Sequence, residues 1–148
     1  MNLASRLQAI LLLTVSLSAC GKSKIEQCNA FIDRAGKAQA AISALNLASE
    51  DRKELEKGAA TIDAEAKAFA TLELKDEKLI GFRAAYANTL SETGKIMSNL
   101  AAAQAEAGDP AKAEAAAAKA KSLVASAEAL EKSESTLVDQ INGYCGGK

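Results

Sequence analysis

Few residues in this chain could do covalent or acid–base chemistry. Cysteines stand at Cys20, Cys28 and Cys145, and there is no histidine. A thiolate can attack, bind a metal or pair with a second thiol, but no Cys-x-x-Cys is present to form a redox couple or zinc site. Without imidazole, Ser-His-Asp and Cys-His catalysis, histidine metal sites, c-type haem attachment and the Glu-x-x-His signature of di-iron bundles are excluded. The acids Glu50 with Asp51, Asp63 with Glu65 and Asp76 with Glu77 could be offered as general acid and base. Each pair has a lysine close by and falls in a helix cap or on an outer face, where a carboxylate stays solvated and unsuited to proton transfer in a cleft. Gly143, Gly146 and Gly147 make no phosphate loop and instead stop a helix. No catalytic residue and no metal ligand is therefore assigned, and the chain is not expected to be an enzyme.

The elements that carry these residues follow from composition. The 148 residues are 49% hydrophobic and 25% charged, with 34 alanines and five aromatics. Alanine loses no side-chain entropy in a helix, so an all-α fold is expected, with a thin core. The net charge of −1 offers no clustered positive charge for displacing counterions, which argues against a nucleic-acid partner.

Apolar periodicity divides the chain into four helices, near 24–46, 49–73, 76–107 and 110–143. Ser23 and Glu26 have the spacing of a capping box, and Cys28, Phe31, Ala35, Ala38, Ile42 and Leu45 form the first stripe. Ser49, with Glu50 and Asp51 at the positive end of the helix dipole, marks the second start; its stripe runs from Leu55 to Leu72. Asp76 and Glu77 open the third helix, with Leu79, Phe82, Tyr86, Thr89, Thr93, Ile96, Leu100, Ala103 and Ala107 as its seam, weakened by Gly81 and Gly94. Gly108-Asp109-Pro110 ends that helix and begins the next, whose heptads run Ala113, Ala116, Ala120, Leu123, Ala127, Leu130, Leu137, Ile141 and Tyr144. Short loops set consecutive helices side by side, so an antiparallel up-down four-helix bundle with Ala-rich, coiled-coil-like packing is expected. Long coiled-coil hairpins that complete their core by oligomerising are the alternative.

The N-terminus has the layout of an export signal: Met1 to Arg6 with one positive charge, then an apolar run from Leu7 to Leu17, short of the ~20 residues a membrane-spanning helix needs. It ends in Leu17-Ser18-Ala19-Cys20, which resembles the lipobox of bacterial lipoproteins. The resemblance implies that residues 1–19 are a cleaved signal peptide, that Cys20 receives a diacylglyceryl lipid, and that 20–148 is the mature domain. It also implies a membrane partner through the lipid, with no cofactor besides that covalent group. Gly21 in place of an aspartate resembles lipoproteins sent to the outer membrane, facing the periplasm, in a host with two membranes.

With Cys20 given to lipid, Cys28 and Cys145 remain, an even number in an oxidising compartment, and a disulfide between them is expected. In an antiparallel four-helix bundle the start of helix one and the end of helix four share one end, so the pairing suits the fold.

The expected role is a lipid-anchored, non-catalytic envelope protein, structural or protein-interacting, similar to small Ala-rich helical lipoproteins. The closing Gly146-Gly147-Lys148 also resembles the murein lipoprotein, joined to peptidoglycan through its terminal lysine. The glycine tail and four helices depart from that family. Two further readings are a helical module holding a small apolar ligand, which needs a cavity, and a periplasmic chaperone, which needs an exposed apolar cradle.

Overall fold

The computed structural model describes residues 23–45 and 51–146 and places in them four α-helices: α1 (Lys24–Ser43), α2 (Arg52–Ala70), α3 (Glu77–Ala107) and α4 (Ala113–Cys145). The signal segment, Cys20, Asn46, Ser49, Glu50 and Lys148 lie outside the described residues.

Local chemistry explains most of the boundaries. The Ser23 hydroxyl accepts from the Glu26 N–H at 3.2 Å and the Ser23 N–H donates to Glu26 Oε2 at 2.6 Å, so the expected capping box forms. The described part of α2 begins at Arg52 rather than 49, because the Asp51 carboxylate is itself the cap, accepting from the Lys53 N–H at 2.7 Å. Asp76 caps α3 through Leu79 N–H at 2.9 Å. The start of α4 is displaced from 110 to Ala113. The Asp109 carboxylate, expected to cap the helix, instead accepts from the Ala111 N–H at 3.0 Å and holds a turn, and Lys112 stands at the helix start without a side-chain cap. At the other end α4 runs through Gly143 and stops at Gly146. Helix α1 closes at Ser43 and α2 at Ala70, each three residues short of the sequence expectation.

Consecutive helices run antiparallel. Phe31 meets Phe69, Gly58 meets Met97, and Phe82 meets Tyr144, so chain positions rise on one helix as they fall on the next. The largest fully buried side chains are Phe31, Ile62, Phe69, Leu79 and Leu90, all on α1, α2 and α3. The stripe of α2 is buried as expected at Leu55, Ala59, Ile62, Ala66 and Phe69.

Two details of the seams differ from the sequence reading. In the second half of α3 the residues buried are Leu90, Gly94, Met97, Ala101 and Ala103; Ala103 belongs to the expected seam, while Thr93, Ile96 and Leu100 of that seam lie at the flank. A straight helix drifts by ~20° per heptad against a 3.5-residue repeat, so the stripe extrapolated from Leu79 slips off the contact. Gly94 adds to this: a Cβ there would meet the Ala59 carbonyl oxygen at 3.4 Å and the Asp63 nitrogen at 3.6 Å, so its missing side chain lets α2 and α3 come close.

The second difference concerns α4, where only Ala116 and Ile141 are buried. Ala120, Leu123, Leu130 and Leu137 keep part of their surface, and Ala127 is exposed. Helix α4 packs along α3 alone. It converges on α1 at Cys28 and Cys145, whose Cα atoms are 5.6 Å apart, and the two helices separate along the rest of their lengths. The bundle is closed on three seams and open along the fourth.

Candidate functional site

The two cysteines expected to pair are joined: Cys28 and Cys145 form a disulfide across 117 residues of chain. Both flank buried core, Cys28 being 3% exposed. Around this end gathers a polar cluster. The buried Gln27 turns its carboxamide oxygen onto the α2–α3 connection, accepting from the N–H groups of Lys75 at 2.6 Å and Asp76 at 2.9 Å. The Tyr144 hydroxyl donates to Asp76 Oδ2 at 2.9 Å, and the ammonium groups of Lys24 and Lys78 lie 3.8 and 4.6 Å from the centre of its ring. Two N–H donors at the helix start and the Tyr144 hydroxyl hold the Asp76 carboxyl below its ordinary range.

The acids divide: Asp51 and Asp76 are caps as expected, Glu65 lies half-buried in the α1–α2 seam rather than on an outer face, and Glu50 is outside the described residues. Asp63 faces Lys67 at 2.6 Å, and Glu65 pairs with Arg34 across that seam. Among the described residues no group of three His, Cys, Asp or Glu side chains could hold a metal ion, and no helix is long and apolar enough to cross a membrane. Cys20 and Lys148, the expected lipidation and wall-linkage positions, cannot be related to this geometry because they lie outside the described residues.

The most distinctive concavity is the open seam between α1 and α4, a groove of about 300 Å³. Its walls are mainly apolar, Phe31, Ile32 and Ala35 from α1 and Val138 and Ile141 from α4, with the carboxamides Gln39 and Asn142 also in the lining. Ile32 keeps 47% and Val138 37% of its surface accessible, so each wall offers an exposed aliphatic side chain. The floor is Tyr86 of α3, set by the aromatic cluster beneath it: its ring centre lies 4.7 Å from that of Phe69 and 6.3 Å from that of Phe31. Glu134 of α4 lines the same groove, near enough to the Tyr86 hydroxyl for each group to perturb the other.

Burial is the main cause of the perturbed proton affinities here. It pushes the Tyr86 phenol up to about 12, with the Glu134 charge and hydrogen bond adding to the rise. Burial likewise raises the Glu134 carboxyl; the Tyr86 hydroxyl opposes that rise and Glu131 adds to it. A neutral phenol and a desolvated carboxyl thus stand together in the groove lining.

Sequence reasoning missed this pair, although a signal was present. The apolar heptads of α4 run Leu130, then Leu137, and the seam position between them is Glu134. An acid occupying a core position of an otherwise apolar stripe is the mark of a polar group held in place by a partner.

The remaining depressions are of a different kind. One of about 370 Å³ between α2 and α3 is walled by Glu56, Asp63 and Lys95; another of about 420 Å³ between α3 and α4 is edged by Asn88, Ser133, Thr136 and Gln140. Both mix polar side chains with apolar lining from Ala59 and Ala60 in the first and Leu130 and Leu137 in the second. Compared with protein-family models, curated proteins and solved structures, the chain matches none of them.

Proposed function

We propose that this protein is a lipid-tethered, non-catalytic component of the bacterial cell envelope that presents its helical bundle to a partner there. The observation that carries the reading is the Cys28–Cys145 disulfide. It consumes two of the three thiols and leaves Cys20, at the end of the lipobox-like Leu17-Ser18-Ala19, as the odd one. A structural disulfide also belongs to an exported, oxidising compartment, where lipid attachment at Cys20 takes place. Cys20 stands four residues before Lys24, where α1 begins, and Cys28 follows one turn into that helix, so the clamped end of the bundle stays within ~25 Å of the bilayer. Two or three acyl chains on one cysteine anchor durably, each buried CH₂ contributing ~0.8 kcal/mol.

The test is in the native host. Intact cells are crosslinked, the membrane fraction is extracted, peptidoglycan is digested, and the protein with whatever is attached to it is identified by mass spectrometry. An N-terminal peptide beginning at acylated Cys20, together with a reproducible envelope protein crosslinked to the bundle, is the expected result. A chain that keeps residues 1–19 and fractionates without membranes overturns the tether. A muropeptide on Lys148 without added crosslinker replaces the interaction role with a structural membrane-to-wall link.

A further inference from the structure

The geometry points to the α1–α4 groove as a binding site for a small organic cation, an amine whose apolar body lies between Ile32 and Val138 and whose ammonium group meets Glu134. This site goes beyond the tethering role and does not rest on it.

Three observations converge. The groove holds about 300 Å³, whereas a dry cavity of about 150 Å³ already accommodates a benzene ring, so a ring with a short side chain fits. Its walls offer apolar contact on both sides, which an exposed pair such as Ile32 and Val138 would otherwise leave to water. The one charged residue in its lining is Glu134, so the electrostatic preference is for positive charge. An anion would meet a carboxylate with no basic group to offset it, and a neutral molecule would leave that carboxylate without a new partner. An ammonium supplies a charge-assisted hydrogen bond to Glu134. The aromatic cluster of Phe31, Phe69 and Tyr86 makes this floor rigid before the ligand arrives.

The charge balance sets a pH signature. The titratable groups facing Glu134 are Tyr86 from α3, neutral up to about pH 12, and Glu131 from its own helix. The α1 residues of the lining are Phe31, Ile32, Ala35, Gly36 and Gln39, none of them charged. Affinity for a cation therefore falls as acid protonates Glu134, whose burial-raised range places that loss above the pH at which an exposed glutamate would titrate.

The test uses the full chain carried in phosphatidylcholine nanodiscs, with empty nanodiscs as the blank. The probes are phenethylammonium, its neutral match phenethyl alcohol and the anionic hydrocinnamate. Calorimetric titration is expected to show the cation binding roughly tenfold or more tighter than the alcohol, with no binding of the acid. Glu134→Gln, which keeps the shape and the Tyr86 contact, removes that preference, whereas Glu128→Gln on the exposed face of the same helix keeps it. Equal affinity for cation and alcohol, a preference that survives Glu134→Gln, or no binding of any probe overturns the site. So does sedimentation showing a dimer that Ile32→Asp dissolves, since the groove would then be the seat of a second copy.

Discussion

The hydroxyl of Tyr144 donates to Asp76 Oδ2 at 2.9 Å, tying the last turn of α4 to the residue that caps α3. The other carboxylate oxygen of Asp76 accepts from the Leu79 N–H, so one side chain starts a helix and receives the end of another. Both partners are perturbed accordingly. The N–H of Leu79, then the Tyr144 hydroxyl, lowers the Asp76 carboxyl, and the bond to Asp76 raises the Tyr144 phenol.

Acid and base should therefore loosen this corner from opposite directions. A carboxyl whose folded pKa is depressed contributes its full stabilisation above the ordinary carboxylate value and loses it as pH falls below that value. A phenol whose folded pKa is raised contributes fully below its ordinary value of 10 and loses that contribution as pH climbs through the raised one. Urea midpoints of the wild-type chain are expected to fall more steeply on acidification than those of Asp76→Asn, the two converging at the acid end. Parallel curves would mean that the cap and its tyrosine add nothing to folding. In an alkaline absorbance titration both phenols should ionise late, Tyr86 near pH 12.

The disulfide acts on a helix that has little else to hold it. Only Ala116 and Ile141 of α4 are buried, and Cys28–Cys145 closes a separation of 117 residues. Removing a crosslink of that span costs roughly 2 to 5 kcal/mol. The double variant Cys28→Ser/Cys145→Ser is expected to lose that much stability, and hydrogen exchange along α4 should quicken more than along α2. Uniform quickening across all four helices would contradict the uneven packing.

Glycines separate into those the packing needs and those it does not. Around Gly81 nothing lies within 4 Å of where a Cβ would stand, so Gly81→Ala should add about 0.5 to 1 kcal/mol through helix propensity alone. Gly94 faces the α2 backbone, and Gly94→Leu should drive the two helices apart at a cost of about 1 to 3 kcal/mol. Thermal melts of the two variants should move in opposite directions. A shared direction would remove the close-approach account of Gly94.

What could be read from the chain was what local chemistry decides. The Ser23–Glu26 box, the Asp76 cap and the α2 stripe depend on residues within a few positions of one another, and each stands where its spacing puts it. The disulfide followed from parity plus topology. The slip of the α3 seam to Leu90, Gly94 and Met97 was hidden because a heptad template does not drift while a real helix does. Gln27 gave no signal at all, since the N–H groups it satisfies lie 48 and 49 residues along the chain. The open α1–α4 seam was hidden for a related reason: alanine every third or fourth residue looks the same on a helix gripped from two sides as on one leaning against a single neighbour. Only the acid at position 134, in the gap between Leu130 and Leu137, distinguished that seam from an ordinary one.

The unequal grip on the helices gives one more expectation, about where the folding energy resides. Phe69 is fully buried, its ring centre 4.9 Å from that of Phe31 and 4.7 Å from that of Tyr86, so three helices lose contact if it is truncated. Phe69→Ala should cost about 3 to 5 kcal/mol, combining lost transfer energy with a cavity that rigid helices cannot close. Leu123 of α4, only partly covered, has less area to lose and can be replaced by water on its open side, so Leu123→Ala should cost about 1 kcal/mol. Urea unfolding of the two variants measures the ratio. Comparable losses would show α4 to be as firmly packed as α2, and the groove beside it would then be a closed seam rather than an accessible one.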